Sequence, residues 1–219
     1  MKAHPILFSG AMVRALLDGS KTQTRRAVKF PSFTKEHWRD PGLGAGEYFK
    51  VSRYGEDTVH RVRCPYGMAG DLLWVRETWA CYRLISYEYD EWEQVATAAE
   101  RAEYHGALSP VYAADKKNYP DQWHPSIHMP RWASRLTLEI TGVRVERLQD
   151  ISEADAKAEG CHYIDRPALS VGYYPAYREL WESINGAGTW ANNPWVWVIK
   201  FKVHHKNVDA LLSERGARA

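Results

Sequence analysis

Residues 9–29, SGAMVRALLDGSKTQTRRAVK, hold the first structural signal in the chain and its densest basic cluster. Ser9 can cap a helix, Met12, Val13, Leu16 and Leu17 recur at helical spacing, and Gly19 can close the last turn. Residues 20–29 follow with Lys21, Arg25, Arg26 and Lys29 and no acid, and read as a loop or the first residues of a strand. In an extended chain Lys21, Gln23 and Arg25 point to one side and Thr22, Thr24 and Arg26 to the other. Only a turn at the helix end would bring Lys21 beside Thr24.

Outward from this segment, 219 residues with 45% hydrophobic content and a net charge of +2 suit one domain with insertions. That composition excludes wholesale disorder and a generally basic nucleic-acid coat, so any nucleic-acid contact must be local. No apolar run approaches the ~20 residues of a membrane span, so no membrane partner is expected. The N-terminal MKAHPILFSG is too short in apolar residues for a secretory signal, and a cytoplasmic location is the expectation. Cys64, Cys81 and Cys161 form no CxxC pair, which argues against a disulfide framework. The ten tryptophans serve either burial or base stacking, and composition does not choose between them.

Along the chain, residues 31–58 read as irregular, and strand-like pieces follow at 48–51, 59–63 and 71–79. Residues 82–130 contain an acidic stretch at 88–93, a short helical pattern at 94–104 and a Pro/His/Trp-rich run. They read as an elaboration of the domain. From 135 to 148 the apolar alternation changes phase around Gly142, which predicts a bulge or tight turn. Residues 150–160 read as a helix capped by Ser152, with Asp155 completing a capping box and Gly160 just past its end. Residues 175–185 form another amphipathic helix, with Tyr177, Leu180, Trp181 and Ile184 on one face. Residues 195–203 form a strand with Trp195, Trp197, Ile199, Phe201 and Val203 on one side. Residues 205–219 read as a polar, frayed tail. The whole pattern is α+β, a small mixed β-barrel with flanking helices, spanning 1–204 with insertions at about 31–65 and 82–130.

The loop also suggests chemistry. A threonine needs a base to act as nucleophile, and a lysine can serve if burial or neighbouring cations lower its pKa. From spacing alone the K-x-x-T pattern is weak, and the loop reads sooner as a solvated basic segment after a helix C-terminus. Glu77, at the end of an apolar strand face, points into a cleft or pairs with an arginine. His124 and His128 lie four positions apart, but Pro125 and Pro130 argue against the helix that would align them on a metal. Arg131, Trp132 and Arg135 read as a stacking and phosphate-contacting lip, or as a packed Trp with arginines outside. Trp38, Trp92, Trp123 and Trp132 fall in or beside the insertions, where a stacking role is to be sought.

Three segments then carry a resemblance: residues 5–26, PILFSGAMVRALLDGSKTQTRR; residues 70–79, GDLLWVRETW; and residues 138–160, LEITGVRVERLQDISEADAKAEG. Together with the aromatic strand NPWVWVIKFK at 193–202, they resemble the ASCH-domain family of PUA-like barrels, in particular its larger phage and prophage members. The resemblance implies an amidohydrolase that removes the acyl group from N4-acetylcytidine or a related N4-acylated cytosine nucleoside, with no metal and no cofactor. It assigns Thr24 as nucleophile, Lys21 as base and Glu159 as the carboxylate that orients Lys21. Arg25, Arg26, Glu77, Trp132 and Arg135 are the candidate substrate contacts. The family also implies two other uses of the cleft, as a non-catalytic RNA- or nucleotide-binding module and as a ribonuclease.

Overall fold

The structure is a computed structural model that describes residues 1–29, 38–39, 49–53, 56–60, 63–86, 91–94, 108–115, 122–166 and 170–216. Strand β1 (Ala3–Leu7) leads into helix α1 (Gly10–Leu17). Ser9 caps α1 through its side chain, which accepts from the Met12 N–H at 3.5 Å, and Val13 and Leu16 are buried. Gly19 ends the helix at φ +79°, a conformation that glycine adopts without strain. The chain then turns back on itself: the Lys21 N–H donates to the Ala15 carbonyl at 2.9 Å. Gln23–Ala27 follows as strand β2.

Three more strands complete the main sheet: β6 (Leu72–Arg76), β10 (Thr137–Arg147) and β13 (Trp195–His204). Their order is β1-β6-β10-β13-β2, with β1 and β6 parallel and the other pairs antiparallel. This sheet and the helices α1, α2 (Glu153–Ala158), α3 (Tyr173–Asn185) and α4 (Val208–Gly216) make the chain α+β. Among the described residues the sheet is open, ending on β1 and β2 with no pair that closes it.

Strand β13 explains why its sequence is apolar at almost every position. Trp195, Trp197, Ile199 and Phe201 enter one core with Ile6, Val13, Leu16 and Leu73, whereas Val196 and Val198 enter a second core with Tyr177, Trp181 and Trp190. A strand covered on both faces loses polar alternation. The phase change at Gly142 is a bulge, since the β10–β13 register shifts between Ile140 and Gly142.

Several expectations need correction. The strand read over 71–79 stops at Arg76, and Trp79 starts a new strand, β7 (Trp79–Ser86), which pairs with β8 (Glu91–Gln94) and β9 (Leu108–Tyr112). The Trp79 N–H and carbonyl bond to the backbone of His124 instead of continuing the first sheet. Two pieces read at 48–51 and 59–63 appear as β4 (Phe49–Arg53) and β5 (Glu56–His60), which join β3 (Trp38–Arg39) in a separate sheet. The helix read at 94–104 lies outside the described residues except for Gln94, which ends β8. A small pair, β11 (Ile164–Arg166) and β12 (Ser170–Gly172), precedes α3. Ile184, placed on the buried stripe of that helix, is 49% exposed.

Residues 205–216 are not frayed. In α4, Val208 and Leu211 are buried against Leu72 and Trp74 of β6. Asn207 anchors the start of the segment by donating to the carbonyls of Arg131, Trp132 and Ser134. Truncating Leu211 to alanine is expected to cost about 2 kcal/mol, the lower end of buried leucine truncations. Urea unfolding checks this. A change within about 0.5 kcal/mol, as for a surface site, would restore the frayed-tail reading.

Candidate functional site

The site grows from the junction of three elements. Ser152 caps α2, its hydroxyl accepting from the Asp155 N–H at 3.1 Å. Glu159 caps the other end, and Gly160 leaves the helix at φ +82°. A Cβ at Gly160 would lie 2.8 Å from the Ala15 Cβ and 3.0 Å from the Lys21 Cβ, so only glycine lets α1 and residue 21 approach this closely. Lys21 then forms an antiparallel bridge with Glu159, and Thr22 N–H donates to the Ala158 carbonyl at 2.9 Å.

Lys21 is completely buried. Its Nζ donates to the Glu159 carbonyl at 2.8 Å and to Glu159 Oε2 at 3.0 Å. The other carboxylate oxygen, Oε1, accepts from Arg25 Nη1 at 3.0 Å. Arg25 in turn donates from Nε to Glu146 Oε1 at 3.1 Å and from Nη2 to Asp155 Oδ2 at 3.1 Å. Arg144 closes the network on Glu146 Oε2 at 2.9 Å and Asp155 Oδ2 at 2.7 Å. Three cations, Lys21, Arg25 and Arg144, thus face three carboxylates, Glu146, Asp155 and Glu159. Charges at this depth persist only when paired and hydrogen-bonded in this way.

Burial pushes the Lys21 ammonium below its ordinary pKa, against the pull of Glu159, and the nearby Arg26 adds to the fall. Burial pushes the Cys161 thiol up to about 12, with the Glu159 charge adding to the rise, so it is not an available thiolate. Cys64 is likewise pushed up to about 11 by burial.

Thr24 is 1% exposed and carries no hydrogen bond to Lys21. It lines a cavity of about 50 Å³ together with Arg26, Glu159, Tyr177 and Trp181. A second cavity of about 280 Å³ lies against Ala11, Ala15, Cys161 and Ala176 and shares Met12, Glu159 and Leu180 with the first. Arg26 lies over the Phe8 ring at 5.1 Å and donates from Nη2 to the Leu7 carbonyl at 2.6 Å.

Thr24, Arg25, Arg26 and Glu159 line one cavity, and Lys21 is joined to it through Glu159. Arg25 lines the cavity beside Thr24, and its guanidinium is held by three carboxylates, Glu146, Asp155 and Glu159. Glu77 and Arg135 belong to a different cluster. Arg135 grips both Glu77 oxygens, at 2.9 and 3.0 Å, donates to Asp115, and stacks 3.9 Å from the centre of the Tyr112 ring. Burial raises the Glu77 pKa against the pull of Arg135. Arg131 is held by Asp209 at 2.7 Å, so both arginines of the supposed lip are paired, and only Trp132 stands out, 46% exposed and edge-on to Trp79. The side chains of Trp38 and Trp92 lie outside the described residues.

Sequence reasoning missed Glu146, Asp155 and Arg144, and it took Tyr177 and Trp181 for core alone. Asp155 was assigned to a capping box, but its carboxylate goes to Arg25 and Arg144. Among the described residues no group of three or more His, Cys, Asp and Glu side chains is placed to hold a metal ion. His124 uses its backbone on Trp79, and His128 ends a short 3-10 turn. No helix among the described residues is long and apolar enough to cross a membrane. No protein-family model, no curated protein and no solved structure matches the chain.

Replacing Glu159 with glutamine removes the charge between two buried cations. The expected loss is about 3 kcal/mol of folding stability, typical of breaking a buried pair. Glu146→Gln is expected to cost less than half as much, since that side chain keeps partial contact with solvent. Urea unfolding of both variants tests the ranking, and equal losses would contradict it.

Proposed function

We propose that the chain is an amidohydrolase of the ASCH family, built on a PUA-like barrel, that removes the acyl group from N4-acetylcytidine or a related N4-acylated cytosine nucleoside in the cytoplasm. The observation that carries this reading is the buried Lys21–Glu159 pair beside a cavity that Thr24 lines. A lysine in this setting has its pKa lowered by burial, which is what a general base for a threonine hydroxyl requires. Function is argued here from the site, since the fold alone would permit many activities.

In this mechanism neutral Lys21 takes the Thr24 hydroxyl proton as Thr24 Oγ1 attacks the acyl carbon. The carbonyl electron pair moves onto oxygen. Collapse of that intermediate expels the cytosine N4, which receives the proton from Lys21. Water then attacks the acyl-threonine carbon, giving a proton to Lys21; the bond from that carbon to Thr24 Oγ1 breaks, Lys21 returns the proton to Oγ1, and the carboxylic acid leaves with the Thr24 hydroxyl and neutral Lys21 restored. Glu159 holds Nζ in place throughout, and Arg25 holds Glu159. The small cavity, about 50 Å³, supports a short acyl group over a polymer at the reacting centre.

The test is release of cytidine from N4-acetylcytidine by the purified chain. Thr24→Ala and Lys21→Ala are each expected to lower kcat/KM by at least about 10³-fold, as for removal of a nucleophile or its base. Full activity in Thr24→Ala would overturn the reading, and cleavage of RNA in place of deacylation would favour the ribonuclease alternative.

The pH profile follows with its sign. The working form of Lys21 is deprotonated, so kcat/KM should climb with pH and level off at the Lys21 pKa, below the ordinary 10.5. An alkaline limb centred at or above 10.5 would contradict a buried base.

A further inference from the structure

The small cavity beside Thr24 is bordered by donors that have nothing to donate to. Trp181 lines it from α3, and its Nε1 is buried without a hydrogen-bond partner. Arg26 lines it from β2. Its Nη2 is satisfied by the Leu7 carbonyl, but its Nε is also buried without a partner. Tyr177, one helical turn before Trp181, adds a phenol whose pKa is raised well above its ordinary value by burial and by the Glu159 charge, so it keeps its proton.

Nearly all buried N–H groups in folded proteins have an acceptor, and leaving one unpaired is costly. Two such donors on one small cavity therefore need a common explanation. The Trp181 ring packs in the core with Tyr177 and Trp190, but that packing uses its carbon surface and leaves Nε1–H without an acceptor. The larger neighbouring cavity is lined by neither residue. An acceptor arriving with a ligand satisfies both.

We propose that this cavity is an oxyanion pocket, in which Trp181 Nε1–H and Arg26 Nε–H receive the carbonyl oxygen of the acyl group. The inference rests on the deacylation reading for the identity of the oxygen, and on the unpartnered donors for the place that binds it. When Thr24 Oγ1 bonds to the acyl carbon, the carbonyl π pair moves to that oxygen, and the Thr24 proton goes to Lys21. The two donors hold the resulting negative charge until the C=O re-forms and the cytosine N4 leaves. Fixed donors aimed at developing charge act mainly on kcat. Trp181 and Arg26 are then catalytic residues.

The experiment joins kinetics to a spectroscopic signature. Trp181→Phe keeps most of the ring and removes the N–H. It is expected to lower kcat on N4-acetylcytidine about 10²-fold, the usual loss for one oxyanion donor, with KM little changed. In ¹H–¹⁵N spectra of the full chain, the indole signal that disappears in Trp181→Phe should move saturably as sodium acetate is added, and not in sodium chloride of equal ionic strength. If the wild type releases cytidine while Trp181→Phe keeps full kcat and the signal ignores acetate, the oxyanion pocket is overturned and the deacylation reading stands. If the wild type releases no cytidine but the signal still responds to acetate alone, the pocket stands as a carboxylate site and the deacylation reading falls. Should Trp181→Phe fail to fold, Arg26→Lys removes the second donor while keeping the charge. It should show the same loss in kcat, and full kcat there would overturn the proposal.

Discussion

Glu159 holds a different cation on each oxygen of one carboxylate, Lys21 on Oε2 and Arg25 on Oε1. Everything around the site follows from the need to keep those charges paired away from water. Lys21 could not be fully buried without a carboxylate and a carbonyl on its Nζ. Arg25 needs more negative charge than its share of Glu159 supplies, and Glu146 and Asp155 provide it from β10 and α2. Arg144 balances those two in turn. A polar network therefore ties the edge strand β2 to α2 and β10, where most of the fold is tied by apolar contact. Gly160 is the steric condition for that network, since any side chain there would drive residue 21 away from Glu159.

Among the described residues two carboxylates are buried, Glu77 and Glu159, and their partners separate them. Glu77 has both oxygens on one guanidinium, which stacks on Tyr112 and bonds to Asp115. Arginine does not give up its proton in proteins, so that pair is static. Glu159 shares its charge with a lysine, whose proton can leave when burial lowers its pKa. The difference between a structural ion pair and a candidate acid–base pair lies here in the cation, not in the burial of the acid. Proximity to unpartnered donors makes the same distinction: Arg26 and Trp181 border the cavity beside Thr24 and Glu159.

Much of the framework was legible in the sequence because it depends on local rules. The Ser9 cap, the glycine at 19, the bulge near Gly142 and the Ser152 cap all act within a few residues of themselves. The aromatic stripe of β13 was readable for the same reason. The burial of Lys21 and Arg25 was not. A run of four basic residues reads as solvated until its partners are known, and those partners lie 121 to 138 residues away in sequence. Trp181 was legible as a buried side chain, but its unpaired N–H depends on what neighbours it in space. The α4 helix was missed because Val208, Leu211 and Leu212 are too few in a polar stretch to signal a docked helix without Leu72 and Trp74 to receive them.

The central claim is that Lys21 is a buried amine with a lowered pKa, held by a carboxylate that it shares with Arg25. Direct titration of the Lys21 side chain tests this most simply, using ¹³C-labelled lysine in the full chain and Lys21→Arg to assign the signal. The account predicts a midpoint clearly below the ordinary 10.5. A midpoint at or above 10.5 would contradict it, because pairing with Glu159 would then outweigh burial and leave Lys21 a permanent structural cation.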